Sequence, residues 1–207
     1  MEELSQLIVL LILIFLMSDE QLDAVIGTQV WNSENLNVDH FRNGDIIPEA
    51  KKAEEWEAAG HAKRPAWCYY DNDLKNGKKY GKLYNWYAVN DTRGLAPSGW
   101  HVPSDAEWTI LSTYLGGKDV AGKKMKSTTG WNDNGNGSNS SGFSGLPGGQ
   151  CYFFGNFFYV GNYGYWWSAS EYDEGGAWYR RFYDGNSSLF RHNDGKFHGF
   201  SVRCVKD

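Results

Sequence analysis

Residues 151–172 read CYFFGNFFYVGNYGYWWSASEY, and this stretch decides the fold. Short runs of Tyr, Phe and Trp are broken every few residues by Gly and Asn, the pattern of β-strands joined by tight turns rather than of a helix. AWYRRFYDGNSSLF (177–190) and GFSVRCV (199–205) continue it. In the last of these, Phe200, Val202 and Cys204 share one face and Ser201, Arg203 and Val205 the other, so the terminal strand is expected to bury Cys204.

Upstream, GWNDNGNGSNSSGFSGLPGG (130–149) is turn chemistry almost throughout and predicts a long ordered surface loop. Before it lies the strongest helix signal, Pro103 to Leu115. Ser104 and Glu107 form a capping box, Trp108, Leu111 and Leu115 fall on one face, and Gly116-Gly117 stops the helix. Trp108 is therefore a core residue and not a site residue. A second helix is predicted over Pro48 to Ala59, with Pro at its start and Gly60 after it. Residues 25–38 read as strand, turn and strand. The class is α+β: β-rich, with two helices and long ordered loops.

The chain divides into an apolar N-terminal segment, 1–24, and one domain, 25–207. Leu7 to Met17 (LIVLLILIFLM) has the length of a signal-peptide apolar region, although MEELSQ ahead of it is acidic and no A-x-A site follows. Residues 1–24 are expected to act as a signal, an anchor or an assembly helix through which the chain forms a homo-oligomer. The domain then works outside the cell, at the cell surface, or on a virion if the chain is phage-encoded.

The formal charge is −5 and the basic residues are scattered, so nucleic acid is not an expected partner. The three cysteines, Cys68, Cys151 and Cys204, form no C-x-x-C pair. H-E-x-x-H, G-x-S-x-G and the Walker lysine motif do not occur, and the five histidines have no catalytic spacing. Asn132, Asp133 and Asn134 offer oxygens of the kind calcium takes, but turn chemistry accounts for them. No metal, cofactor or catalytic residue is expected.

Seven segments carry a further pattern: IGTQVWNSENLNV (26–38), PAWCYYDND (65–73), YGKLYNWYAV (80–89), GLAPSGWHVPSDAEW (94–108), SGFSGLPGG (141–149), YGYWWSASEY (163–172) and GFSVRCVKD (199–207). Together they resemble the Fibrobacter succinogenes major paralogous domain. The resemblance implies a C-type-lectin-like fold, shared with formylglycine-generating enzymes and with the variable proteins of diversity-generating retroelements. It implies surface or secreted proteins of Bacteroidetes and their relatives with binding roles.

The function expected on this basis is ligand binding or adhesion to a protein or glycan of a cell surface. The alternatives are an enzyme of the formylglycine-generating type and a structural tip protein of a pilus or phage fibre. The recognition surface is placed in residues 179–198, at Tyr183, Asp184, Asn186, Ser188, Phe190, Arg191, His192, Asn193 and Asp194. Aromatics there bring contact area and short polar residues bring hydrogen bonds. Adenine-directed diversification never yields Lys, Glu, Gln, Met or Trp, and only Lys196 in that window belongs to this set. Because the matching segments include Cys68 and Cys204 but not Cys151, and export meets an oxidising compartment, a Cys68–Cys204 disulfide is expected.

Overall fold

A computed structural model describes residues 23–207; the apolar run Leu7–Met17 lies outside the described residues. The domain opens with the expected hairpin, β1 (Ala24–Ile26) and β2 (Gln29–Trp31), which turns at Gly27 with φ at 65°. The first helix, α1 (Ala53–His61), starts five residues later than Pro48. Pro48 to Lys52 stays extended because the Trp67 N–H donates to the Pro48 carbonyl and the Ala50 N–H to that of Trp67. The Glu55 carboxylate then accepts from the N–H groups of Lys51 and Lys52, which fixes the start.

Next come β3 (Trp67–Cys68), α2 (Leu74–Tyr80), β4 (Leu83–Tyr84), α3 (Trp86–Val89) and β5 (Trp100–His101). The short helices α2 and α3 were not expected. Asp73 and Asn85 cap them by accepting from Lys75 N and Ala88 N. Both are too short to show an apolar repeat, and in sequence their caps look like turn residues. The predicted capping box does open α4 (Asp105–Tyr114), with Glu107 N donating to Ser104 Oγ and Ser104 N to the Glu107 carboxylate. A further helix, α5 (Lys118–Met125), follows Gly117.

The remaining strands are β6 (Gly148–Cys151), β7 (Phe157–Val160), β8 (Tyr163–Glu171), β9 (Gly176–Tyr183), β10 (Phe190–Gly195) and β11 (Val205–Lys206). They build a five-stranded sheet in the order β10-β9-β8-β6-β7, while β11 joins the first hairpin and β5 in a four-stranded sheet, β1-β2-β11-β5. Strands β3 and β4 pair separately. The fold is α+β and β-rich. Side chains of β8 alternate between two cores. Tyr165 and Trp167 join Phe200, Val202 and Cys204 in one, and Trp166 joins Trp31, Trp108, Phe143 and Phe182 in the other.

Two expectations need correction. The 130–149 segment is not simply a surface loop, since Trp131 and Phe143 leave it to enter the second core. It packs so closely on the end of α5 that a Cβ on Gly137 would lie 2.1 Å from the Lys126 carbonyl oxygen. The Cys68–Cys204 disulfide is not formed: all three cysteines are free and buried. Cys68 pairs with Leu83 and Trp67 with Tyr84 across β3 and β4, so neighbouring residues look to opposite sides. Trp67 and Tyr84 lie in the core of Cys204, whereas Cys68 and Leu83 lie in a third core with Trp56, Tyr70 and Cys151. The Cys68 thiol therefore meets that of Cys151.

Trp166 and Phe200 are both fully buried. Truncating either to Ala is expected to cost about 3 to 5 kcal/mol in chemical denaturation; a loss below about 1 kcal/mol would contradict the packing described. Under a mild oxidant, peptide mapping should find Cys68 joined to Cys151, and recovery of a Cys68–Cys204 peptide would show that the β3–β4 alternation is wrong.

Candidate functional site

Strand periodicity assembles one face of the five-stranded sheet from alternate residues. Tyr163 pairs with Tyr183, Tyr165 with Arg181 and Trp167 with Tyr179, while Phe190 and His192 of β10 lie opposite Arg181 and Tyr179. Toward the lower end, Phe200 stacks on Tyr165 at 4.9 Å and closes the core. The upper end is open. There Tyr163 and Tyr183 stack at 5.4 Å, Phe190 and His192 at 5.9 Å, and Tyr159 of β7 meets Tyr163 edge-on at 5.0 Å.

Arg181 stands in the middle of these rings. Its guanidinium carbon lies 5.3 Å from the Tyr163 ring centre and 5.2 Å from that of Phe190. Its Nε is shut off from solvent, yet it has no hydrogen-bond partner among the described residues. Arg180 and Arg191 are held by Asp105, Arg93 by Asp91 and Asp45, and Arg42 and Arg203 by backbone carbonyls. A buried N–H left without a partner is uncommon enough in folded proteins to need a reason.

Burial pushes Tyr179 up to about 12 and Tyr165 higher still, so both phenols stay protonated at neutral pH. Around Arg181 the face thus carries N–H and O–H groups, with Asp194 its carboxylate farther along β10. Partial burial, and then the charge of Arg181, lower the pKa of His192, while Asp194 acts in the opposite direction. Asp194 lies four residues along β10 from Phe190, roughly 13 Å at the ordinary rise of a strand, and accepts from Gly195 N.

The nine residues expected to form the recognition surface do not all meet here. Tyr183, Phe190, His192 and Asp194 fall on this face; Tyr183 and Phe190 are half-buried and His192 is exposed. Arg191 and Asn193 alternate to the opposite face. Arg191 is committed there, forking onto Asp105 at 2.8 and 2.9 Å with its guanidinium 3.3 Å from the Trp178 ring centre. Asp184 accepts from the Asn162 side chain, Asn186 gives its carbonyl to Lys126 Nζ and its side-chain oxygen to Ser188 N, so these three build the β9–β10 turn. Tyr179, Arg180, Phe182, Leu189, Lys196 and His198 of the 179–198 window are buried, which confines any variable surface to part of it.

Sequence reasoning missed Tyr159, Tyr163 and Arg181. Tyr159 and Tyr163 lie before the window that was singled out, and Arg181 is told from Arg180 only by register. In the 132–139 loop the side-chain oxygens of Asn136 and Asn139 accept from Trp131 N and Ser144 N, while Asn132, Asp133 and Asn134 are exposed. Among the described residues no three His, Cys, Asp or Glu side chains are grouped as metal ligands.

A family model described as the Fibrobacter succinogenes major domain matches residues 25–206. No curated protein and no solved structure matches the chain.

If the charge of Arg181 reaches His192 as the geometry requires, Arg181→Gln should raise the His192 pKa toward the ordinary histidine value in an NMR titration. An unchanged His192 titration would separate the two groups and dissolve the site as a unit.

Proposed function

The chain belongs to the Fibrobacter succinogenes major domain family, and on that premise we propose that it is a non-catalytic binding module of C-type-lectin-like architecture, exported to a bacterial cell surface or carried on a virion. The ligand is a protein or glycan of a cell surface, and it is taken by the open end of the five-stranded sheet. One observation carries this reading: the rings of Tyr159, Tyr163, Tyr183, Phe190 and His192 are contiguous across four strands and surround a cation that has no counter-ion among the described residues. Aromatic side chains with few rotatable bonds lose little entropy on contact, and their phenol ends hydrogen-bond, which suits recognition.

The cysteines support binding over catalysis. A thiol must ionise to act as nucleophile or soft-metal ligand, but burial pushes Cys204 up to about 12 and raises Cys68 as well. Both stay protonated in packed cores, away from the aromatic face. Pairing of Trp31 with Val205 brings the first hairpin and the last strand into one sheet, a closure that supports the lectin-like reading.

The test is binding of the labelled full chain to a glycan array and to whole bacterial cells, beside a variant carrying Tyr183→Ala, Phe190→Ala and His192→Ala. The variant should lose at least tenfold in signal on every target the parent recognises. It should remain folded, since truncations at part-exposed positions cost about 1 kcal/mol each. Undiminished binding by a folded variant would move the site elsewhere.

A further inference from the structure

The second observation on the face is chemical rather than spatial, and it narrows the ligand. Arg181 has no carboxylate on it among the described residues, its terminal pair of nitrogens forms a planar fork of N–H donors, and the Tyr163 ring stands beside it with Tyr183 across the strand pair. The carboxylates nearest in sequence are turned to other work. Asp184 is held by Asn162, and Asp194 is bonded to Gly195 N with His198 Nδ1 at 3.0 Å. A guanidinium without a counter-ion among the described residues is complementary to an anion, and its fork matches the two oxygens of a carboxylate better than a point charge does.

The rings limit what else the ligand is. Tyr163 against Tyr183 and Phe190 against His192 are stacked within 20° and 17° of parallel, so each covers a face of its neighbour. Tyr163, Tyr183 and Phe190 are half-buried and His192 is exposed, so part of each residue still meets solvent. Such a surface offers no deep apolar slot for a peptide side chain. It presents alternating C–H edges and hydroxyls, which match the C–H and hydroxyl groups of a sugar ring.

Resting on the binding reading above, we infer that the face recognises an acidic polysaccharide, with a uronate carboxylate on the Arg181 fork and the flanking sugar hydroxyls on the phenols of Tyr163 and Tyr183. The contact spans β8, β9 and β10, and the charge complementarity is local, because the chain as a whole is acidic. Association is accordingly salt-sensitive only to the extent of the few charges engaged.

The experiment is affinity electrophoresis and calorimetry of the full chain with four probes: polygalacturonate, alginate, fully methyl-esterified polygalacturonate and poly-glutamate. Arg181→Gln, Arg181→Lys and Tyr163→Phe are run beside the parent, with melting temperature as the check of folding. The parent should bind at least one of the two uronates, and at least tenfold more tightly than the ester and poly-glutamate. Arg181→Gln should lose at least tenfold, Arg181→Lys should recover part of it, and Tyr163→Phe, which keeps the ring, should fall in between. Equal binding of ester and acid, equal binding of poly-glutamate, a folded Arg181→Gln protein that binds as the parent does, or no binding to either uronate would each overturn the inference. If any of these occurs while the parent still binds cells or arrayed glycans through Tyr183, Phe190 and His192, the binding reading stands without it. Loss of that binding too would remove both.

Discussion

The guanidinium of Arg203 is fully buried, and the rest of the domain is arranged around satisfying it. It donates to the carbonyls of Asn32 and Phe143 and, at 2.9 Å, to the side-chain oxygen of Asn35, while lying on the Phe143 ring. Removing a cation from water costs several kcal/mol unless oxygens replace the lost solvent, and burial lowers its pKa to about 9. The three oxygens come from two parts of the chain far apart in sequence, the segment after the first hairpin and the long loop, and Arg203 joins both to the C-terminal segment. Satisfying one side chain therefore pins Phe143 in place, and Phe143 touches Trp31, Trp108, Trp166 and Phe182. Trp166 belongs to β8, so its inward anchoring fixes which way Tyr163 and Tyr165 face.

From there the sheet acquires two unlike sides. Arg180 and Arg181 are neighbours, and the period of two sends them to opposite faces. Arg180 is buried against α4, where Asp105 takes it at 2.7 Å and takes Arg191 as well. Burial opposes ionisation of Asp105, but the hydrogen bonds from Arg191 and Arg180 outweigh it and hold the carboxyl below its ordinary value. Since the folded-state pKa is depressed, this contribution to stability is present above the ordinary carboxylate range and fades as pH falls through it. One aspartate closes the account of two arginines on that side. Arg181 on the other side has only aromatic rings. Buried Lys126 and Arg203 are met by carbonyl oxygens, whereas the Arg181 Nε finds no acceptor among the described residues.

Much of the fold could be read from local chemistry alone. The aromatic runs separated by Gly and Asn became β6 to β10, and Ser104 with Glu107 capped α4, because these signals act within a few residues. What could not be read depends on contacts between distant residues. The burial of Cys204 followed from alternation, but its pairing with Cys68 failed because β3 and β4 separate the two cores, a fact that only sheet topology supplies. Alternation put Arg203 with Ser201 and Val205 on the face away from Cys204, and the structure buries that face as well. In the candidate site, Tyr183, Phe190, His192 and Asp194 share one face of the sheet, whereas Arg191 and Asn193, which composition grouped with them, alternate to the other. A stretch chosen by composition has no register, and register alone divides a strand into two faces.

Tyr159 shows how closely the open face is tied to backbone geometry. Its φ is 70°, in the left-handed region that costs a bulky residue on the order of 1 to 3 kcal/mol. Gly148 pairs with Val160 and Gln150 with Phe158, so Tyr159 lies opposite Gly149, which also has positive φ, at 65°. The glycine adopts that conformation freely, and a Cβ there would press on the Phe158 carbonyl at 2.6 Å. Tyrosine has no such freedom. Its conformation is held because Asn162 N donates to the Tyr159 carbonyl at the turn and Gly149 leaves the strand to pair with Gly164 of β8. Glycine or asparagine at 159 would relieve the turn of this strain but would leave Tyr163 without its edge-on neighbour. The strain at Tyr159 thus sits at the rim of the aromatic face, beside Tyr163, and not in any of the packed cores.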